Sequence, residues 1–256
     1  MKKRGRYLIL FYVLAWILCS CASTDSSTED SMASTEEKEK EPTAPEHSEL
    51  YLPEYSAQQI FDYFEEVVLH TEYSEGDGNT ALVQKWSMPI CYRIYGNPTE
   101  DDLAVLNDLF VQLNEVDGFP GIHAATDEEM ENLTISFLSP EDFSLSFSTF
   151  LNGEDAYGAN QYWYYTDTNE IYTANVCYRT DLDQITRTSI LIEEIVNVLG
   201  ISDTVLRENS IVYQYSNDNL AMSDVDWVIL KLLYDPIIQC GSDYDRCRES
   251  VLELYY

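Results

Sequence analysis

Apolar residues along the chain recur at two spacings, which together predict a domain of mixed helices and strands. Repeats of three to four residues predict helices, and alternation or short apolar runs predict strands. The capping-box sequence Ser56–Gln59 begins the first helix, which we expect to end near His70. Predicted helices cover 56–70, 99–113, 183–199, 223–234 and 242–254; predicted strands cover 86–95, 122–125, 132–138, 161–165 and 171–179; residues 144–150 and 210–215 are predicted as further extended segments, and 72–79 as a loop.

The order of these elements indicates an α/β (α+β) fold, in which a sheet is covered by long helices. An extra helix precedes the first strand, and two helices follow the longest one, which stops at Gly200. About 200 residues suffice for one domain with a sizeable core. We therefore predict a single folded domain over residues 50–256.

The first twenty residues have the pattern of a targeting segment. Four basic residues precede an apolar run from Tyr7 to Leu18, which is shorter than a bilayer span. The run ends in Leu18-Cys19-Ser20-Cys21, which resembles the bacterial lipobox. The resemblance implies a lipoprotein signal peptide over 1–20, cleavage before Cys21 and a lipid on the Cys21 thiol. An uncleaved N-terminal anchor helix is the alternative.

Residues 21–49 are rich in Ser, Thr, Glu, Lys and Pro, with few apolar residues. Such a segment cannot bury enough apolar surface to offset the entropy of ordering, so we expect a disordered tether. The predicted protein is thus held at the extracytoplasmic face of a cell membrane by its lipid anchor.

Charge narrows the choice of partners. The chain has 14 Lys and Arg against 46 Asp and Glu, a net charge of −32. The predicted signal peptide holds four of the basic residues and no acid, so the mature chain has 10 against 46, or −36. This charge argues against nucleic acid and anionic membrane as partners. The preferred interpretation is a solvated acidic surface that favours solubility, and binding of cations or basic partners is the alternative.

Four cysteines remain in the predicted domain, and an even number in an exported chain permits disulfides. Cys240 and Cys247 are close in sequence and form the favoured pair. Cys91 and Cys177 lie in strand-like segments and are either paired or buried. No CxxC motif is present, so zinc is not expected.

The positions of the histidines also argue against a zinc site. The chain has three, His47, His70 and His123, and none has a partner at ligand spacing in the sequence. We predict no cofactor.

Residues 192–236 resemble the active-site half of a matrixin-like metzincin metalloprotease. In that family a helix carries HExxHxxGxxH, a Met-turn follows, and the last helix begins at a Ser-x-x-Asp cap. Here Gly200 matches the motif glycine and Glu194 the general-base glutamate. Ser210-Ile211 stands before the Met-turn position, and Ser223–Asp226 matches the last cap.

All three zinc-binding histidines of that motif are replaced. Glu193, Asn197 and Asp203 stand at their positions, and Val212 replaces the methionine. Carboxylate and amide oxygens suit a hard cation such as Ca²⁺, so these three residues are a candidate cation site. The alternative is that they only hydrogen-bond one another and local backbone.

A closer resemblance is to exported bacterial proteins classed as a domain of unknown function. They share the degenerate helix, a KWxxPI strand and a late LLYDP sequence, which appear here at 85–90 and 232–236. This resemblance implies a fold and no activity.

Two functions follow from these resemblances. The first is a non-catalytic, metzincin-like module that binds a peptide, glycan or protein through the former cleft. The second is a hydrolase that uses Glu194, with Glu193 and Asp203, without zinc or around another cation.

Overall fold

Short polar side chains determine where the helices begin. Ser56, Thr99 and Ser223 each accept a hydrogen bond from the backbone three residues later, and the residue there bonds back to complete a capping box. Asp183 and Asp243 cap two more helices through their carboxylates. The computed structural model describes residues 48–69, 81–147 and 156–256. The helices in these ranges are α1 (Ala57–Val68), α2 (Glu100–Asn114), α3 (Pro140–Phe147), α4 (Gln184–Val198), α5 (Asp224–Tyr234) and α6 (Tyr244–Tyr255).

Some predictions fall outside the described residues: the signal peptide 1–20 with Cys21, the tether up to residue 47, the loop 72–79, and the end of the first helix at His70.

The strands form one mixed sheet. They are β1 (Lys85–Trp86), β2 (Ile90–Gly96), β3 (Ile122–Ala124), β4 (Leu133–Leu138), β5 (Gly158–Tyr164) and β6 (Glu170–Arg179). The order β3–β2–β4–β6 is parallel throughout, and β1 pairs in parallel with the first two residues of β6. On its other side β6 pairs with β5 in an antiparallel hairpin, whose turn places Asn169 at φ 60°. The predicted α/β class is confirmed.

The two faces of the sheet differ. Leu133, Ile135 and Phe137 of β4 point to one face and pack in the main core, as Ala174 and Val176 of β6 do. Helices α2 and α4 cover this face and contact each other. Helix α3 lies on the opposite face, called here the outer face. There Phe143 packs against Cys177, and the residues partly buried beside them are Leu138, Ala156 and Ala159.

Two extended segments were predicted where the structure has other conformations. The prediction over 144–150 is wrong for 144–147, which belong to α3. Ser139 caps this helix, Pro140 occupies its first position, and acidic residues follow in the first turn. Residues 210–215 form turns, with one isolated parallel bridge between Thr204 and Tyr213.

Candidate functional site

Helix α4 carries the residues at the zinc-motif positions, and its glutamate at the general-base position is buried. Glu194 is 8% exposed, and its Oε2 accepts a hydrogen bond of 2.6 Å from Asn160 Nδ2 of β5. A Cβ on Gly158 would lie 2.4 Å from Ile190 Cγ2 and 2.5 Å from Glu194 Oε1, so glycine allows β5 to approach α4 without displacing these side chains. Glu194 therefore links α4 to β5.

Tyr178 completes the surroundings of Glu194 on the covered face. Its hydroxyl donates to the carbonyl of Leu191 at 3.2 Å. Burial, reinforced by the Glu194 carboxylate, holds the pKa of Tyr178 well above its ordinary value. The phenol is therefore a neutral donor that connects β6 to the α4 backbone.

The other motif positions are partly brought together. Asn197 Nδ2 donates to Asp203 Oδ1 at 2.9 Å, across the turn that follows α4. The Oδ1 atom of Asn197 is buried and has no hydrogen-bond partner among the described residues. Glu193 is half-buried one helical turn before Asn197. The expected Asn197–Asp203 contact is thus present, while a cation at Glu193, Asn197 and Asp203 stays a prediction.

The turn after α4 requires glycine. Gly200 has φ +102°, and a Cβ there would lie 2.1 Å from the carbonyl oxygen of Gln84. The chain then returns beside the Met-turn position, because Thr204 N–H donates to Val212 O at 2.8 Å and Gln214 N–H donates to Thr204 O at 3.0 Å. Val212 itself is buried in the core.

Asp226 connects the turn at Ser210 to the start of α5 at Ser223 through hydrogen bonds to its carboxylate. Its Oδ1 accepts hydrogen bonds from the hydroxyls of Tyr63 at 2.8 Å and Ser210 at 2.7 Å. Its Oδ2 accepts from the backbone of Ile211 at 3.0 Å and of Ser223 at 2.9 Å. One buried carboxylate therefore connects α1, the Ser210 turn and the start of α5. The sequence showed Asp226 only as a helix cap.

The KWxxPI and LLYDP sequences form a structural clamp. The buried Lys85 ammonium donates to three backbone carbonyls around the end of α5: Leu233 at 2.8 Å, Ile238 at 2.5 Å and Asp235 at 3.4 Å. A positive group at this position also complements the helix dipole. Burial lowers the pKa of Lys85, and the nearby Cys240, Asp235 and Cys247 oppose that shift.

The same two sequences hold the end of α4. Trp86 Nε1 donates to Val198 O at 2.8 Å, and the Tyr234 hydroxyl donates to Leu199 O at 3.0 Å. The carbonyls at the end of a helix have no partner within the helix, so these side chains satisfy them. The most recognisable residues of the chain thus position α4.

The cysteines of the described residues form no disulfide in the structure. All four are free thiols. Cys91 lies beside Asn132, the residue just before β4, whereas Cys177 lies on the other side of β4, beside Ser136. The two cysteines are thus offset by four residues along the strand direction, or about 13 Å, and by two strand spacings across the sheet, or about 10 Å. A disulfide needs Cα atoms within about 7 Å, so the alternative of a Cys91–Cys177 pair is wrong.

Cys240 and Cys247 are also unpaired in the structure. The Cys240 thiol donates to Lys85 O at 3.5 Å, and Cys247 is buried, which raises the pKa of its thiol to about 12. Their disulfide stays a prediction.

A cluster that the sequence did not reveal lies on the outer face. Pairing of β2 with β3 places Cys91 directly beside His123. Cys91 Sγ lies 3.3 Å from His123 Nε2, which lies 3.6 Å from Glu129 Oε1. The sequence shows no partner for His123 at ligand spacing, and the structure brings two potential ligands to it from distant positions. Strand pairing joins residues 32 positions apart, and no local spacing could show this.

The fold and the site define a mixed α/β domain whose α4 region is braced by buried hydrogen bonds. The chain belongs to the family described as Protein of unknown function (DUF2927), whose model matches residues 57–252. The expected resemblance to a domain of unknown function is thereby confirmed. No curated protein matches the chain. Within the described ranges, no helix is long and apolar enough to cross a membrane.

Proposed function

We propose that this protein is an exported lipoprotein whose domain is a non-catalytic, metzincin-like binding module for an extended peptide segment. The observation that carries the proposal is the position of Glu194. Its carboxylate is buried and bonded to Asn160, which orients β5 beside α4. A glutamate held in this way is better suited to positioning the edge of β5 for binding than to transferring a proton to a substrate.

The metzincin-like part of the proposal is supported by contacts among the matching segments. The Ser210 turn and the Ser223 cap share the carboxylate of Asp226. The chain turns after Gly200, and the Thr204 N–H then donates a hydrogen bond to the carbonyl of Val212. Segments that are separate in the sequence are thus adjacent, as the resemblance requires.

The edge of β5 supplies the binding surface. Arg179 N–H donates to Tyr157 O at 3.1 Å, so odd-numbered residues of this hairpin exchange hydrogen bonds with β6. The backbone groups of Gly158, Asn160 and Tyr162 therefore point away from β6. No other strand among the described residues pairs with that side. An extended peptide can bind such an edge by adding a strand.

Side chains and charge indicate the kind of peptide. Tyr157, Trp163, Tyr164 and Tyr165, which lie in or beside β5, are all at least 36% exposed. Aromatic side chains offer large contact areas and attract cationic groups. With a net charge of −32, the chain favours a segment containing Lys or Arg.

The location rests on the N-terminal sequence. The basic, apolar and small residues before Cys21 occur in the order of a lipoprotein signal peptide. We propose that the lipid on Cys21 tethers the domain outside the membrane.

Binding can be tested with peptides selected from a random display library on the purified protein. We expect the selected peptides to be basic, and Trp163→Ala and Tyr164→Ala to weaken their binding at least about tenfold. Tyr256→Ala removes a tyrosine that is 74% exposed and remote in sequence, and should leave affinity unchanged. Equal affinities for all three variants would refute binding at β5.

The alternative function is a hydrolase that uses Glu194 with a cation other than zinc. It is favoured by the Oδ1 atom of Asn197, which is buried beside Asp203 and has no hydrogen-bond partner among the described residues. This oxygen could coordinate a cation. Cleavage of casein that is abolished by Glu194→Gln would establish this alternative. A thermal shift with Ca²⁺ that Asn197→Leu removes would establish the cation alone.

A further inference from the structure

The outer face of the sheet brings together three side chains that ligate metals. Cys91 is on β2 and its register partner His123 is on β3. Glu129 belongs to the turn that follows β3. Their three ligand atoms lie within 4.8 Å of one another, and they are the one such grouping of His, Cys, Asp and Glu found among the described residues.

The contacts converge on a single nitrogen. Both Cys91 Sγ, at 3.3 Å, and Glu129 Oε1, at 3.6 Å, approach His123 Nε2. In a nucleophile–histidine–acid triad, the acid would instead contact the other ring nitrogen. One N–H cannot point well at two acceptors, so neither a triad nor a simple hydrogen-bond chain accounts for this arrangement.

A tetrahedral metal accounts for it directly. Zinc lies about 2.3 Å from sulfur and about 2.0–2.2 Å from nitrogen and oxygen, which places its ligand atoms about 3.3–3.6 Å apart. The two separations between ligand atoms in the cluster, 3.3 and 3.6 Å, match this spacing. We propose that Cys91, His123 and Glu129 form a binding site for a transition metal such as Zn²⁺.

Neighbouring hydrogen bonds hold the ligand-bearing backbone in place. Asn132 accepts from Cys91 N–H through Oδ1 at 2.7 Å, and its own N–H donates to Cys91 O at 2.9 Å. Arg93 donates to the backbone oxygens of Thr126 at 3.0 Å and Glu129 at 3.2 Å. Supporting contacts of this kind orient metal ligands.

Exposure and ligand type define what the site can bind. The side chains of His123 and Glu129 are 48% and 43% exposed, so an ion can enter and a fourth position faces water. A thiolate and an imidazole select Zn²⁺ and similar transition metals over Ca²⁺ or Mg²⁺. Tyr92 packs into the core, so the adjacent Cys91 faces away from α4. The site is therefore separate from Glu193, Asn197 and Asp203.

Cobalt is a suitable probe, because Co²⁺ takes zinc sites and reports its ligands by absorption. Titration of the purified protein with Co²⁺ should give a thiolate-to-metal charge-transfer band and strong visible bands, saturating at one ion per chain. Zn²⁺ should displace the cobalt. Cys91→Ser should abolish the charge-transfer band, whereas Cys240→Ser should leave it unchanged.

The other ligands can be tested by affinity. His123→Ala and Glu129→Gln should each weaken Zn²⁺ binding by more than about tenfold, whereas the adjacent Glu128→Gln should not. Circular dichroism verifies that each variant is folded. The proposal is wrong if no charge-transfer band forms, if the band survives in Cys91→Ser, or if Glu129→Gln and Glu128→Gln bind equally well.

Discussion

The clamp formed by Lys85 provides a stringent test of how this domain is built. In Lys85→Met the side chain keeps much of its length and apolar surface but loses the ammonium. The carbonyls of Leu233 and Ile238 then lose hydrogen bonds of 2.8 and 2.5 Å, and the longer contact to Asp235 is also lost.

The expected magnitude follows from these bonds. A hydrogen bond to a charged group contributes about 1.5–3 kcal/mol, so the two short bonds together contribute about 3–6 kcal/mol. Methionine avoids the cost of burying an ammonium, which offsets part of the loss. We therefore expect the free energy of unfolding to fall by about 3 kcal/mol.

Urea denaturation followed by tryptophan fluorescence measures this change. With an m-value of about 2 kcal/mol/M, the midpoint should fall by about 1.5 M. Lys231→Met is the matched control, because Lys231 is an exposed lysine in the last turn of the same helix. Its substitution should change stability by less than about 0.5 kcal/mol. If both variants unfold at the same urea concentration, the clamp does not hold α5 and the structural role of the KWxxPI sequence is wrong.

Three further predictions address other parts of the chain. Asp226→Asn replaces an acceptor oxygen with an amide N–H₂ among the donors of Tyr63, Ser210, Ile211 and Ser223. Thermal denaturation should show that this variant loses about 3 kcal/mol of unfolding free energy, whereas Asp224→Asn, at an exposed position, should lose less than about 1 kcal/mol. Similar losses in the two variants would contradict the hydrogen-bond network around Asp226. Burial acts to raise the pKa of Asp102, but hydrogen bonds from Thr99, Gln184 and Arg187 outweigh it and hold that pKa below its ordinary value of 3.8. The stability difference between wild type and Asp102→Asn should therefore be constant above pH 5 and shrink as pH falls below about 3.8, when the carboxylate gains a proton; a difference independent of pH would contradict the ion pair. Cys21→Ser should prevent incorporation of labelled palmitate and move the protein out of the membrane fraction, and unchanged labelling would refute lipidation at that residue.

Local sequence signals predicted most of the elements, because each signal acts within a few residues. The capping boxes at Ser56, Thr99 and Ser223 mark helix starts that the structure reproduces. Gly200 was expected to end α4, and the chain does leave the helix there, with Gly200 at φ +102°. A Cβ at this position would collide with the carbonyl oxygen of Gln84, so the position requires glycine. The helix over 140–147 was missed, because alternating apolar residues in so short a segment do not distinguish a strand from a helix.

The candidate sites depended on contacts between distant segments, and there the sequence was less informative. Asn197 and Asp203 are six residues apart and were expected to meet. The contact of Glu194 with Asn160 spans 34 residues, and that of Cys91 with His123 spans 32. Both depend on which strands become neighbours, which periodicity alone does not specify. The Cys91–Cys177 pairing failed for the same reason, because these residues lie on strands that are not adjacent.

Amide hydrogen exchange with and without a selected basic peptide tests the central claim, peptide binding along β5, most directly. If the peptide adds a strand, the amides of Gly158, Asn160 and Tyr162 should exchange more slowly on binding. Those of Ala159, Gln161 and Trp163 should change little, since they already bond to β6. Slower exchange confined to another part of the domain, with β5 unchanged, would contradict the account.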